Sequence, residues 1–391
     1  MKPRGVAWGL LLLSSGLVPF AGCSSEPAGS AAEAGPTPTG TSTGTTPTPG
    51  ADAGADAPPT PPADASADAP ADAPPSGGAQ DRVYYSNAFG FAYLPIAGGA
   101  PVVVDADLKN ALRVRLSPDR KRVATTGGFG ATTSTVYDRA NAKVATLPGV
   151  FIGWADNDTV LYGAAGGVGN QGFADLRRAR FDGSGEQTVY RTTGAALFRV
   201  GTSPLSADGG RLAVWHIDGT TYSVKVVSTT DGAEVGSTSV GGASNPVNGP
   251  LYTRDGSVVW AAAISPTSYQ IASPTLTAPR TVTAPGALAG GNGNGAFAPW
   301  IGDAFLLGAE VIGGGGLRQS KLFAARSDGA APVELSGLGV LGNLLVERVK
   351  VSADGGKIVY NLGKIIWTAR VDGTDARQLG DVTIDPQTLA W

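Results

Sequence analysis

Leu205-Ser206-Ala207-Asp208-Gly209-Gly210-Arg211-Leu212-Ala213-Val214-Trp215 is echoed by Val351-Ser352-Ala353-Asp354-Gly355-Gly356-Lys357-Ile358-Val359-Tyr360. Each stretch reads as the end of one strand, a tight turn and a second, apolar strand. Serine at the first turn position can bond the nearby backbone, and glycine suits the fourth. Ser117-Pro118-Asp119 is a third copy, in which proline presets φ at the second position. Weaker copies lie at Asp156 to Asp158, Asp255 and Asp303, so the hairpin recurs about every 40 to 50 residues, the mark of a repeat architecture. A second turn follows roughly 18 to 25 residues later, at Asp182-Gly183, Asp231-Gly232, Asp328-Gly329 and Asp372-Gly373, and Asp-Gly between apolar runs is a strong hairpin signal. Two hairpins per unit make a four-stranded sheet.

Residues 81–391 divide into seven such units of about 44 residues, the length of a propeller blade. The expected fold is therefore all-β, a seven-bladed β-propeller, with six or eight blades as the alternatives. By its turns, blade 2 runs over 111–149, blade 3 over 150–191, blade 4 over 196–240, blade 5 over 243–284, blade 6 over 296–337 and blade 7 over 344–381. Residues 82–108 read as a unit lacking its first strand, and 382–391 as a first strand lacking its unit. Trp391 takes the place before a turn that Trp154 and Trp300 take in theirs. Thr388 to Trp391 is thus expected beside Val83 to Tyr85, which would leave no open sheet edge between the ends.

The first 80 residues are different material. Lys2 and Arg4 precede an apolar stretch from Val6 to Phe20, and Ala21-Gly22-Cys23 closes it, which reads as a secretory signal over 1–22. Cys23 is the only cysteine in the chain, so no intramolecular disulfide is open to it. Residues 24–80 consist mainly of Ala, Asp, Pro, Thr, Gly and Ser, with no Lys, Arg or aromatic residue. Such a segment buries too little apolar surface to offset its ordering entropy and is expected to be a disordered stalk. Glu26, Glu33 and five aspartates from Asp52 to Asp72 make it acidic, which favours extension. With the chain at −3 overall, residues 81–391 are left close to neutral, which gives no electrostatic footprint for nucleic acid.

Two resemblances sharpen this reading. Phe20-Ala21-Gly22-Cys23 resembles a bacterial lipobox, with Phe20 in place of the usual leucine. The resemblance implies a lipidated Cys23 as the mature N-terminus and anchorage in a membrane. Ser24 after the cysteine resembles the pattern of lipoproteins sent to the outer membrane, periplasmic or surface-facing. Leu116-Ser117-Pro118-Asp119 and the two longer repeats resemble the TolB-type, WD-repeat-like β-propeller over most of 81–391, more loosely in blades 5 and 6. The seven expected blades depart from the six of that family, and lipid and stalk stand in place of its α/β domain.

Candidate chemistry is sparse. His216 is the only histidine, which rules out multi-histidine metal sites; it is expected in the loop after the second strand of blade 4. Residues 81–391 hold no Gly-x-Ser-x-Gly elbow and no phosphate loop, so no catalytic residue and no cofactor is expected. Asp182-Gly183-Ser184-Gly185-Glu186 lacks the ligand alternation of a calcium loop, and no metal is expected either. Arg113, Arg115, Arg348 and Lys350 alternate with apolar residues in the first strands of blades 2 and 7. If that strand face lines the channel, they form a candidate site for an anionic ligand. Glycine-bearing loops at Gly127 to Gly130, Gly163 to Gly172, Gly286 to Gly295 and Gly313 to Gly316 are expected on the face opposite the aspartate turns, where recognition tends to live. The expected function is a membrane-anchored, non-catalytic recognition or scaffold module with a protein or envelope-polymer partner. The alternative is a propeller hydrolase or lyase acting on an extracellular polymer.

Overall fold

The chain divides into two units, Met1–Ala67 and Asp68–Trp391. A computed structural model describes residues 82–391 of the second, apart from 129, 166–171, 241–247, 262–266, 289–296, 313–317, 336–348, 353, 363 and 381–387. The expected signal, Cys23 and stalk lie outside the described residues. Within them every regular element is a strand, and no helix is long and apolar enough to cross a membrane.

The strands sort into seven antiparallel units of four. Blade 1 takes its innermost strand from the end of the chain: Thr388–Ala390 pairs with Arg82–Asn87, placing Leu389 opposite Tyr85 and Ala390 opposite Tyr84. Blade 2 runs from Arg113–Leu116 to Lys143–Leu147, blade 3 from Val150–Trp154 to Gln187–Arg191, and blade 4 from Leu197–Leu205 to Glu234–Val240. Blade 5 runs from Asn248–Tyr252 to Arg280–Thr283, and blade 7 from Lys350–Val351 to Arg377–Gln378. The inner strand of blade 6 is in two pieces, Ala287–Leu288 and Phe297–Pro299, both paired with Ala304–Ile312. Part of the expected connection between blades 5 and 6 is therefore strand.

Seven apolar clusters fill the spaces between consecutive blades, the last between blades 7 and 1. The alternation of β-strand side chains explains how one strand serves two of them. Val123 points into the cluster shared with blade 1 and Ala124 into the one shared with blade 3. Leu212 and Ala213 divide in the same way, as do Ile358 and Val359. Second strands buried on both faces read as unbroken apolar runs. Each Val, Leu or Phe so enclosed contributes about 1.5–3 kcal/mol.

The repeated turn closes by one hydrogen-bond scheme. The hydroxyls of Ser117, Ser206 and Ser352 donate to Asp119, Asp208 and Asp354 and accept the backbone N–H of Arg122, Arg211 and Lys357. Each aspartate also accepts the N–H two residues on. Thr253 and Asp255 build a version one residue shorter in blade 5. Trp154 and Trp300 differ by one position in their turns: Ala155 N donates to Thr159 O, whereas Trp300 N itself donates to Ala304 O. A shift of one residue reverses the side chain's face. The indole of Trp154 accordingly donates back to Arg115 O in blade 2, and that of Trp300 forward to Gly355 O in blade 7.

These turns and the outer hairpin turns share one face, here the turn face, and neighbouring blades are fastened there at every junction. Arg82 bonds Arg139 O, Arg122 bonds Asp158 and lies over the Phe181 ring, Ser327 bonds Asp255, and Arg377 bonds Ile96 O. Between blades 3 and 4 the fastening is by contact. A Cβ on Gly209 would stand 1.7 Å from Ala155 O, and one on Gly232 1.8 Å from Val189 O. Between blades 4 and 5, a Cβ on Gly236 would lie 2.2 Å from Thr275 O. Blades 3 and 4 also join into one eight-stranded sheet through a single pair, Phe173 opposite Phe198, whose rings are 5.3 Å apart.

Gly209→Ala should cost about 3 kcal/mol, because it adds overpacking to a left-handed backbone. Gly183→Ala, at φ +85° with open space around it, should cost only about 1 kcal/mol. Denaturant titration of both variants measures the difference, and equal losses would contradict the contact. The turns also set an acid limit. The Ser206 hydroxyl and then the Gly210 N–H hold Asp208 below the usual carboxylate range, as Ser352 and Gly356 hold Asp354. Stability from such a group is complete above the unfolded value near 3.9 and is lost as pH falls through the lower folded value. Asp208→Asn is expected to lower Tm at pH 7 and to flatten its fall between roughly pH 4 and 2.

Candidate functional site

Seven innermost strands surround the axis, and their side chains turn sideways into the blade interfaces. In blade 6, Phe297 joins the cluster with blade 5 while Ala298 joins the one with blade 7. Arg113 and Arg115 lie in the inner strand of blade 2, half-buried on either side of fully buried Val114. Val114 and Leu116 belong to the interface with blade 1, so the two arginines stand on the strand's other side. Arg115 Nη1 donates to Val114 O at 3.0 Å. Lys350 stands half-buried in the inner strand of blade 7, next to Val349 and Val351, which face blade 6. Arg113, Arg115 and Lys350 are all engaged by neighbours, and they occupy blades separated by blade 1. Arg348 lies outside the described residues.

His216 is within the second strand of blade 4, Arg211–Asp218, rather than in the loop after it, because that strand runs on until Asp218 pairs with Thr221. It faces Phe198 on one side and Ser223 on the other. Burial, and then the nearby charge of Lys225, holds its imidazole below the ordinary histidine range, and Asp218 and Glu234 offset this in part. The carboxylates of the Asp182 turn are spent locally. Asp182 accepts the Ser184 N–H and hydroxyl, while Glu186 accepts the Tyr162 hydroxyl at 2.6 Å and the Arg177 guanidinium at 2.8 Å. Among the described residues no group of three or more His, Cys, Asp or Glu side chains is placed to hold a metal.

The two ends of the channel differ in character. On the turn face the aspartates are committed to turns, and the arginines at the junctions are committed to neighbouring blades. The opposite face carries the loops between second and third strands. There Phe89 tips a two-residue hairpin, with Asn87 opposite Gly90 and the Phe89 N–H on the Asn87 carboxamide, and its ring is 80% exposed. Ile312 ends the second strand of blade 6 on the same face and is 79% exposed. Leu112, just before the inner strand of blade 2, is 43% exposed. Asn110, two residues earlier, is tied to the Phe89 hairpin through Asn87 O.

The glycine loops are met only in part. Gly163 lies inside a strand, Thr159–Ala165, where the Phe173 ring takes the space a Cβ would need. Gly127 and Gly128 pack on Leu108 to Asn110, and Gly286 on Glu310 O. Residues 166–171, 289–296 and 313–317 lie outside the described residues. Phe89 was not singled out by the repeat, although an aromatic residue in the two-residue turn of Ser86-Asn87-Ala88-Phe89-Gly90 has no core position to fill and is the readable sign.

No family model matches the sequence, and no curated protein matches it. Solved structures do. A candidate 6-phosphogluconolactonase from Bacteroides fragilis aligns with a TM-score of 0.53 at 12% identity, over 80% of this chain and 98% of that one. An oligogalacturonate lyase in complex with manganese aligns with a TM-score of 0.52 at 12% identity, over 76% and 83%. TolB from Acinetobacter baumannii aligns at 13% identity over 80% of this chain and 66% of that one, with a TM-score of 0.44, too loose to build on. At such identities the likeness concerns architecture alone: residues 82–391 of this chain form an all-β propeller.

Proposed function

We propose that this chain is a recognition or scaffold module, held at the cell envelope by a lipid on Cys23 and displayed on the stalk of residues 24–80. Its partner is a protein or an envelope polymer, and it binds through the loop face without catalysing a reaction. The observation that carries this reading is the exposure of Phe89 and Ile312, at 80% and 79%, on the face opposite the interlocked turns. Exposed apolar residues on rigid hairpins serve as anchors in interfaces, and loops on a fixed scaffold are where recognition resides. The lipid would be an outer-membrane anchor on the strength of Ser24. Several acyl chains, at about 0.8 kcal/mol per buried CH₂, would give lasting attachment.

Crosslinking on intact cells followed by capture of the chain should recover one dominant partner. Phe89→Ser combined with Ile312→Ser should reduce that capture at least tenfold while leaving Tm within about 2 °C, since neither side chain is packed. Loss of the partner only after Tm collapses, or release of sugars from envelope polysaccharide by the purified chain, would favour the hydrolase or lyase alternative. Cys23→Ala should move the protein from the membrane fraction to the soluble envelope fraction; unchanged membrane association would contradict the lipid anchor.

A further inference from the structure

The interface between blades 4 and 5 is apolar in its residues but not in every atom. Trp215 and Trp260 lie in the second strands of the two blades, Tyr252 ends the inner strand of blade 5, and all three belong to one cluster with Val224, Val258 and Ala272. Their exposures are 1%, 1% and 2%. The Nε1 of each indole and the Oη of Tyr252 are buried and meet no hydrogen-bond partner among the described residues. The clusters between blades 5 and 6 and between blades 6 and 7 hold one such atom each, Tyr269 Oη and Trp367 Nε1.

Other tryptophans of the ring show what an indole does here when an acceptor is within reach. That of Trp154 donates to Arg115 O at 3.2 Å and that of Trp300 to Gly355 O at 2.9 Å. At the blade 4–5 interface the surrounding cluster is built of Ala, Val and Leu besides the three aromatic residues, so it offers no side-chain acceptor to the indoles. Without any partner, each group would keep the full penalty of its removal from water. Buried polar groups that the protein leaves unpaired are where internal water settles. Such a water needs two to four polar partners, and backbone carbonyls with a spare lone pair can complete the set.

We infer that the blade 4–5 interface is a binding site for ordered internal water, which accepts from Trp215 Nε1 and Trp260 Nε1 along the second strands and bonds Tyr252 Oη next to the turn. The water is part of the ring's interior. The inference uses none of Phe89, Ile312 and Cys23, so it and the proposed partner surface can fail separately.

The full chain is labelled with nitrogen-15 at its indoles, and magnetisation transfer from water to each Nε1 proton is read in the rotating frame, where a nearby water and simple proton exchange give opposite signs. Trp215→Phe and Trp260→Phe assign the two signals, and Trp154, whose indole already has Arg115 O, sets the background. Transfer of the through-space sign, about threefold or more above that background, is expected at both indoles. Tyr252→Phe removes one oxygen and keeps the ring, so it reads the third group with little change in packing. Loss of a water-bonded hydroxyl should raise the unfolding constant about fivefold in denaturant titration, whereas loss of an orphan hydroxyl would leave it unchanged or lower it. The inference is overturned if either indole stays at background, or if Tyr252→Phe is neutral or stabilising.

Discussion

Every sheet in this domain is apolar on both faces, and that constraint governs the rest. A blade buries Val123 on one side and Ala124 on the other, or Ile358 on one side and Val359 on the other, so it needs two neighbours. A row of such sheets would leave an apolar face bare at each end. Only closure removes both ends, and the inter-sheet twist that comes with right-handed strands makes closure reachable in a small number of steps. The cluster in which Leu389 and Trp391 meet Val359 and Ile366 is the last of the seven and needs residues from both ends of the domain.

Polar chemistry follows from the same constraint. The apolar interfaces resist separation but hold register weakly, and the turn face supplies the register through short, directional contacts at each junction. That use consumes most of its aspartates and many of its arginines, so they are poor candidates for chemistry on a substrate. Arg120 stands apart because it takes the backbone cost of the turn without fastening a blade. The loop face is tied differently, by buried hydroxyls: Ser86 accepts the Ala111 N–H, and Thr126 and Ser134 accept that of Phe151. The division of labour between the faces is thus built from the order in which strands are joined.

Much of the architecture was legible because the turn recurs with its chemistry intact: Ser206 and Asp208 announce a hairpin as plainly as Ser352 and Asp354. Details one residue wide were not legible. Trp154 and Trp300 look alike in sequence, and only the backbone bonds of Ala155 and Trp300 reveal that they face opposite neighbours. Ala287 and Leu288 lie beside a glycine-rich run and give no periodic signal, yet they find Ala309 and Glu310 on a strand already in place. His216 follows an apolar run that a turn was expected to end, but the pairing with Thr221 to Ser228 carries the strand past it.

The borrowed strand in blade 1 imposes a schedule on biosynthesis. Arg82–Asp105 is made first, but its inner edge has no native partner until Thr388–Ala390 exists. At about 5–20 residues per second, that gap lasts on the order of 15–60 s, during which six sheets can assemble while the first waits. An unpaired edge is a template for another chain. A nascent chain of this protein is therefore an aggregation risk of a kind the folded ring is not, and the closing step cannot begin until Thr388–Ala390 has been made.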